Sequence, residues 1–388
     1  MEIDLFFEPV SKVSDTTYGE GTIGERIVAH TEAAGFPEIK AGTVVLLGVC
    51  DARRSENNSE ISEGLFRIRK KLYELKDHFV STEIVDFGDI KAGKAVEDTY
   101  YALSSSVTEI VKKGGIALIL GGGQDITYAN YLAYEKLEQV VNLVSVDSRF
   151  DIGDVEDEIR SDQFLQKIIL HQPNVLFNYS NMGYQTYYIL EKEIDLMRKM
   201  YFDLYRLGEV QGQIEAVEPI IRNADIVSFD LSCIRTSDFP GNYRTEPNGF
   251  YGEEACAITR YAGLSDKLTS IGFYDYDASV DQDGRGATLV AQMIWYFLWG
   301  VDNRKKDYPF ADKDDYLKYT VSIEMGRYEI IFYKSQLSDR WWMEVPYPSK
   351  KGVKYERHFM VPCSYEDYQN ACNEEIPDRW WQTFQKLG

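Results

Sequence analysis

Short apolar runs alternate along this chain with stretches that have the apolar spacing of amphipathic helices, and this alternation restricts the fold more than any other feature. Runs that are apolar on both faces, separated by helices, are typical of a parallel sheet covered on both sides. Right-handed connections then give a doubly wound, three-layer α/β fold. The predicted strands are Thr43–Val49, Val80–Phe87, Gly115–Leu120, Val141–Val146, Asp225–Asp230 and Ser270–Tyr274, and the predicted helices are Leu65–Leu75, Tyr101–Lys113, Tyr128–Glu138 and Gly284–Gly300.

Polar residues directly follow four of the predicted strands. These segments are Gly121–Asp125 (GGGQD), Asp147–Asp151 (DSRFD), Asp230–Ser232 (DLS) and Asp275–Asp277 (DYD). Because ligands bind beyond the carboxyl ends of the strands in open α/β sheets, we expect these side chains at one rim. Carboxylates grouped in this way are ligands for a hard divalent cation. A single aspartate at a strand end more often caps the next helix, but several ends together with three glycines favour a binding site.

The pattern changes near residue 307. Tyr316–Glu324 and Arg327–Lys334 alternate between apolar and polar residues on either side of a Met-Gly pair, which predicts a β-hairpin. We therefore divide the chain into an α/β domain of residues 1–306 and a β-containing extension of residues 307–388. The extension is rich in tryptophan and has no flexible Gly/Ser linker before it, so we expect it to pack on the core.

The charge balance disfavours two classes of partner. The chain has 63 acidic and 42 basic residues, for a formal charge of −21. This field repels the phosphate backbone of nucleic acids and anionic membrane surfaces, so we expect neither as a partner. The N-terminus lacks the pattern of a secretory signal, and the longest apolar runs are too short to span a bilayer. The five cysteines form no CxxC motif. We therefore expect a cytoplasmic protein with reduced thiols.

Three motifs in order resemble those of the ureohydrolases, the family of arginase, agmatinase and formimidoylglutamase. In that family a GGxH or GGGH turn is followed by D-x-H-x-D and then S-x-D-x-D. This chain reads Gly121–Gln124 (GGGQ), then Asp147–Asp151 (DSRFD), then Ser228–Ser232 (SFDLS). The triple glycine and DSRFD look most like the formimidoylglutamase branch, whose second segment resembles DAHFD. The resemblance covers about residues 43–300 and implies an arginase-like fold.

The resemblance also implies six ligand positions for two Mn²⁺ ions, and both histidines and one aspartate of the six are replaced here. The positions are Gln124, Asp147, Arg149, Asp151, Asp230 and Ser232. One metal of the family uses the positions of Gln124, Asp147, Asp151 and Asp230, which keep an amide oxygen and three carboxylates. At the other metal position, a guanidinium opposes a dication. We therefore predict either no metal or one divalent cation, Mn²⁺ or Mg²⁺, and no binuclear manganese site.

Two candidate catalytic residues follow from the same resemblance. Asp275 stands where the family has a glutamate that contacts the substrate. His171 lies in the stretch where some relatives carry a proton-shuttling histidine. A lone histidine in LHQPNV is more often structural, so both interpretations of His171 stay open.

Four residues are candidates for binding a small ligand. Gly123 and Gln124 belong to the glycine turn, and Asn178 belongs to the segment that resembles the family's next strand and its polar end. Arg244, in GNYRTEPNG, is expected either to face the pocket or to form a surface ion pair.

Arg149 carries the sharpest prediction and is the third candidate catalytic residue. Carboxylates that meet at one rim without a cation repel each other. A guanidinium in the volume of a missing ion neutralises them and offers up to five hydrogen-bond donors. We therefore predict that Arg149 points into that volume and pairs with Asp147 or Asp230.

Three functions are consistent with these features. The first is a pseudoenzyme of the ureohydrolase fold that has lost amidine hydrolysis and binds a small amidine, guanidino or amino-acid ligand, or serves in an assembly. The second is an active C–N hydrolase of formimino or guanidino compounds with one metal or an altered mechanism. The third is a purely structural subunit. The resemblance implies a homo-oligomer in each case.

Overall fold

A mostly parallel sheet of ten strands forms the centre of the computed structural model, which describes residues 3–10, 13, 16–55, 61–153, 160–244, 246–309, 313, 315–346 and 357–387. Its strands are β1 (Phe7–Glu8), β2 (Val28–Ala29), β3 (Val44–Cys50), β4 (Ile84–Lys91), β5 (Ile116–Leu120), β6 (Val141–Val146), β7 (Leu176–Tyr184), β8 (Asp203–Arg206), β9 (Ile226–Asp230) and β10 (Ser270–Tyr274). The order across the sheet is β1-β4-β3-β5-β10-β9-β6-β7-β8, with β2 also paired to β4. Short β1 pairs antiparallel with β4, and the other pairs are parallel.

Helices cover both faces of this sheet. They are α1 (Ile23–Arg26), α2 (Ile61–Glu74), α3 (Val96–Lys112), α4 (Ile126–Lys136), α5 (Phe164–Leu170), α6 (Glu191–Lys199), α7 (Leu207–Gly212), α8 (Glu218–Arg222), α9 (Gly252–Leu264) and α10 (Arg285–Asp302). Single turns of 3-10 helix occur at Asp4–Phe6, Ser161–Gln163, Thr186–Tyr188, Ile214–Val217, Leu231–Cys233 and Glu324–Gly326.

The residues of the central strands alternate between two hydrophobic cores. In β5, Ile116, Leu118 and Leu120 pack with α2, α9 and α10 on one face. Ala117 and Ile119 pack with α3, α4 and α5 on the other face. Strands buried on both faces have no polar alternation, which is the pattern in the sequence. The predicted three-layer α/β class is confirmed.

The C-terminal region forms a separate antiparallel sheet, as predicted. Its strands are β11 (Tyr316–Ile323), β12 (Tyr328–Ser335), β13 (Trp341–Glu344) and β14 (Met360–Cys363), paired in that order. β11 and β12 form the predicted hairpin around Met325–Gly326. Helices α11 (Tyr365–Cys372) and α12 (Asp378–Leu387) follow.

Buried polar contacts join this sheet to the α/β core. The guanidinium of Arg222, in α8, donates hydrogen bonds of 3.2 Å to the backbone oxygens of Trp341 and Cys363. The guanidinium of Arg357 lies 2.8 Å from the carboxylate of Asp225, which is fully buried at the start of β9. The two regions therefore contact each other directly.

The four polar segments meet at one rim because β5, β10, β9 and β6 are consecutive in the sheet. Parallel strands end on the same side, so the residues that follow these four strands are neighbours. No helix in the described part of the chain is long and apolar enough to cross a lipid bilayer.

Candidate functional site at the carboxyl ends of the strands

Two buried aspartates follow β6. Asp147 and Asp151 expose 1% and 6% of their surface. Asp147 Oδ1 accepts a hydrogen bond of 2.8 Å from the backbone N–H of Arg149. Asp151 has a left-handed backbone conformation, with a φ of 52°. Among the described residues, none donates a hydrogen bond to Asp147 Oδ2 or to Asp151 Oδ2. The two carboxyl groups lie next to each other, and the side chain of Gln124 also interacts with Asp147.

Asp230, the last residue of β9, is engaged by Ser232. Asp230 Oδ1 accepts a hydrogen bond from the backbone N–H of Ser232 at 2.7 Å, and Oδ2 accepts one from its hydroxyl at 2.6 Å. Both residues are buried. The serine that stands at the sixth ligand position therefore binds the carboxylate of Asp230 through both its donors.

The glycine turn after β5 brings Gln124 to the rim. Gly121 and Gly122 have φ angles of 79° and 78°, a conformation that glycine adopts without strain. A Cβ on Gly123 would lie 2.6 Å from Asp125 Oδ1, so a side chain there is also excluded. Gln124 is buried, and its side-chain nitrogen lies 3.4 Å from the hydroxyl groups of Ser145 and Ser228.

Asp275 follows β10 and faces the glycine turn. Its carboxylate accepts hydrogen bonds from the Ser55 hydroxyl at 2.8 Å and from the backbone N–H of Gln124 at 3.3 Å. Its φ of 62° turns the chain sharply at the end of the strand. The structure thus brings Asp275 to the same rim as Asp230, whose charge acts on it.

Burial and mutual repulsion raise the pKa of three of these carboxyl groups. Burial, followed by the charge of Asp230, raises the pKa of Asp147 to about 7 and that of Asp275 to about 8. Burial and then the charge of Asp147 raise the pKa of Asp151 well above its usual value. Negative charge at this rim is therefore unfavourable unless a cation compensates for it.

Arg244 supplies a compensating cation. Burial lowers its pKa, but the charges of Asp230, Tyr243, Asp151 and Asp275 raise it, so that the pKa lies above its usual value. The charge of Arg244 in turn lowers the pKa of both Asp151 and Asp275. Arg244 Nε donates a hydrogen bond of 3.1 Å to the Tyr243 hydroxyl. Arg244 is therefore close enough to these carboxyl groups for its charge to act on them.

Arg149 points elsewhere, and the prediction that it pairs with Asp147 or Asp230 is wrong. Its guanidinium lies 3.4 Å from Glu246 Oε1 and 4.0 Å from the ring centre of Tyr188. The hydroxyl of Tyr188 also donates to the Glu246 carboxylate. The guanidinium therefore stacks on the Tyr188 ring and pairs with a buried acid, and both contacts hold it away from Asp147 and Asp230. Its described contact with Asp147 is made by the backbone N–H.

Asn178 lies near the opposite end of β7, so its expected place in the ligand pocket is also wrong. Its side-chain nitrogen donates to Asp203 Oδ2 at 2.6 Å, and its oxygen accepts a hydrogen bond from Lys386 of the C-terminal helix. At ~3.3 Å per residue, Asn178 is roughly 20 Å from the carboxyl end of this strand. Gln185, directly after β7, is the residue of this segment that reaches the rim, where its N–H donates to Ser148 O at 3.0 Å.

His171 contacts helix α4. Its Nδ1 lies 3.0 Å from the Tyr128 hydroxyl, and its Nε2 lies 2.8 Å from Glu135 Oε2. Both ring nitrogens therefore have partners in the helix layer. These contacts favour the structural interpretation of His171.

Comparison with protein-family models matches the Arginase family over residues 43–300. The chain belongs to the arginase family. The formimidoylglutamase of Staphylococcus epidermidis is 28% identical over 247 residues, which cover 61% of this chain and 78% of that protein. The formimidoylglutamase of Staphylococcus haemolyticus is 24% identical over 270 residues, which cover 66% of this chain and 85% of that protein. The resemblance of the sequence to the formimidoylglutamases is confirmed.

Solved structures of the family share the fold. The Bacillus subtilis formimidoylglutamase superposes with a TM-score of 0.66 at 17% identity, over 75% of this chain and 95% of that chain. A Trypanosoma cruzi formiminoglutamase solved with Mn²⁺ superposes with a TM-score of 0.61 at 19% identity, over 67% of this chain and 94% of that chain. Identities this low establish the arginase-like fold alone.

Three of the six positions that the resemblance marks as metal ligands carry other residues here, namely Gln124, Arg149 and Ser232. The side chain of Arg149 is directed to Glu246, and Ser232 donates to both oxygens of Asp230. Within the described ranges, no group of three or more His, Cys, Asp or Glu side chains is arranged to hold a metal ion. The single cation on Asp147, Asp151, Asp230 and Gln124 stays a prediction.

Three residues of the site have no signal in the sequence. Ser55, which donates to Asp275, is 220 residues away from it along the chain. Glu246, 97 residues from Arg149, forms its ion pair, and Tyr188 forms its stacking surface. Such contacts depend on how loops from different strands meet, and no local spacing of residue types encodes them.

Proposed function

We propose that this chain is an arginase-family protein that has lost the binuclear manganese site and the amidine hydrolysis of its relatives, and that it binds a small ligand at the rim. The observation that carries the proposal concerns two of the replaced ligand positions: Ser232 donates hydrogen bonds to both oxygens of Asp230, and the guanidinium of Arg149 lies 3.4 Å from Glu246. The charge of Arg244 acts on Asp230, Asp151 and Asp275, so a permanent cation of the protein contributes positive charge at this rim.

The chemistry of a guanidinium explains why hydrolysis is lost. An amidine carbon is a poor electrophile, and its hydrolysis requires a strong oxygen nucleophile at neutral pH. Metal ions generate one by lowering the pKa of bound water. A guanidinium donates hydrogen bonds but has no vacant coordination position, so it does not activate water in this way. Arg244 balances charge without supplying the nucleophile.

The acidic rim favours a cationic ligand group. Asp147, Asp151 and Asp230 place buried carboxyl oxygens at the rim. An amidinium, guanidinium or ammonium group offers N–H donors and a positive charge that match such oxygens. We therefore propose an amidine, guanidino or amino-acid ligand. We further propose a cytoplasmic homo-oligomer, which light scattering of the purified chain tests.

One observation favours a second candidate function, an active C–N hydrolase with a single metal ion. The buried carboxyl groups of Asp147 and Asp151 are suited to a hard cation as well as to an organic one. The named relatives are formimidoylglutamases.

Hydrolysis assays separate the two candidates. The wild-type chain, dialysed and then supplied with Mn²⁺, is incubated with formimidoylglutamate, arginine and agmatine. The matched variant Gln124→His, Arg149→His, Ser232→Asp restores the ligand types of the family. We expect no turnover by the wild type and increased Mn²⁺ retention by the variant. Wild-type turnover that disappears in Asp147→Asn would contradict the proposal and establish the second candidate.

A further inference from the structure

A separate cavity of about 350 Å³ lies at the carboxyl ends of β7 and β8. Its walls come from the end of each strand and from the loop that precedes α9. The lining residues on which the argument rests are Tyr184, Arg206, Leu207, Gln211, Arg235 and Pro247. None of the rim carboxylates is among its described lining residues. Cavities of a few hundred Å³ with a few converging polar groups are typical of small-molecule sites.

The lining of this cavity is cationic. It contains the guanidinium groups of Arg206 and Arg235, and no acidic residue is among the lining residues that the structure describes. This contrasts with the formal charge of −21 of the whole chain. Arg235 Nε lies 2.9 Å from Asp238 Oδ1, and its guanidinium is 3.8 Å from the ring centre of Tyr251. Arg206 is exposed at the end of β8, and no described acidic side chain forms an ion pair with it.

Hydrogen bonds hold the opposite wall in place. Gln211 donates from its side chain to Gly249 O at 3.2 Å and to Glu254 at 3.0 Å. Gln185, which is 4% exposed, donates to Asn248 O at 3.4 Å. A wall fixed in this way does not have to be ordered when a ligand binds, which favours affinity.

We propose that this cavity binds a small organic carboxylate, with Arg206 as its anchor and Arg235 as a second donor. A guanidinium presents two parallel N–H groups that match the two oxygens of a carboxylate. Leu207, Pro247 and the ring of Tyr184 offer apolar surface for the carbon body of the ligand. The inference does not depend on the metal content of the rim.

Calorimetric titration of the full chain at low salt tests the proposal. The probe is glutarate, and its uncharged diamide, glutaramide, is the matched ligand control. We expect saturable binding of glutarate and none of glutaramide. Arg206→Gln should weaken glutarate binding by roughly ten- to a hundredfold, the range for a hydrogen bond to a charged group. The matched protein control is Arg198→Gln, an exposed arginine that lines the neighbouring cavity together with Arg206 but not this one.

Each other outcome overturns the proposal. If the wild type and Arg206→Gln bind glutarate with equal affinity, Arg206 is not the anchor. If Arg198→Gln and Arg206→Gln weaken glutarate binding equally, the effect comes from the net charge of the protein and not from a contact in this cavity. Binding of inorganic phosphate as tight as that of glutarate refutes the carboxylate class. Absence of saturable glutarate binding refutes the site. Circular dichroism of both variants shows that they are folded, which we expect because both side chains are exposed.

Discussion

Replacing Arg244 with alanine removes the cation that compensates the rim carboxylates. The charge of Arg244 acts on Asp230, Asp151 and Asp275. Truncation leaves these carboxyl groups with their mutual repulsion and without the charge of Arg244 to offset it. We therefore expect Arg244→Ala to be folded but clearly less stable than the wild type at mildly alkaline pH.

The size of this stability loss and of the accompanying decrease in Tm can be calculated from the burial of Arg244 and the length of the chain. Removing one partner of a buried ion pair costs about 3–5 kcal/mol, and because Arg244 is only partly buried we expect about 3 kcal/mol. For 388 residues, an unfolding entropy of about 2.1 cal/mol/K per residue amounts to about 0.8 kcal/mol/K. The expected decrease in Tm is therefore about 4 °C.

Differential scanning calorimetry at pH 8.5 and at pH 5 measures this effect. Arg244 lowers the pKa of Asp275, which is about 8, and that of Asp151. Its removal raises both pKa values, so the stability difference is largest above about pH 8, where the wild-type Asp275 is ionised. The difference decreases as the pH falls and the carboxyl groups of both proteins become protonated.

Arg149→Ala is the matched control for this prediction. Its side chain is 26% exposed and lies 3.4 Å from Glu246, so we expect a loss of about 1 kcal/mol. Arg244→Ala melting like the wild type at pH 8.5, or no more destabilised than Arg149→Ala, would refute the assignment of Arg244 as the compensating cation.

Two further substitutions test the fold. Asp225→Asn leaves the fully buried Lys267 and the guanidinium of Arg357 without their carboxylate partner. We therefore expect the free energy of unfolding, measured in urea, to fall by about 3–5 kcal/mol and the C-terminal region to be proteolysed faster. Proteolysis of the wild type that releases a stable core ending just after α10 would contradict the packing of that region on the core. Gly263→Ala places a Cβ 2.1 Å from a backbone oxygen of α10, so we expect a loss of about 1–3 kcal/mol in the same assay, whereas Gly212→Ala, with no atom within 4 Å, should be nearly neutral. Equal stability of the two glycine variants would show that α9 and α10 do not depend on this close contact.

The strands of the parallel sheet could be predicted because each one is a short apolar run that is visible in the local sequence. β6 and β10 begin and end at the residues expected from their apolar runs. The predicted bounds of β4 were less accurate. The strand runs from Ile84 to Lys91, beyond the expected end at Phe87, because its pairing with β3 continues to Lys91. The hairpin of the C-terminal sheet was readable from alternation, whereas β13 and β14 depend on contacts distant in sequence.

The sequence predicts which residues lie at the carboxyl ends of the strands, but it does not predict which side chains contact each other there. Asp147, Asp230 and Asp275 lie at the rim because strand order follows from the fold. The direction of Arg149 could not be predicted, because its partner Glu246 is in a loop 97 residues away. The place of Asn178 could not be predicted either, because the observed length of β7 separates this residue from the rim.

Metal analysis of the full chain tests the central claim most directly. The protein is produced with excess Mn²⁺ in the medium, dialysed extensively without chelator, and analysed for metal per chain. The account predicts at most one equivalent, because Arg244 supplies charge to the rim and Ser232 donates to both oxygens of Asp230. Two equivalents of manganese per chain, retained after dialysis, would contradict it.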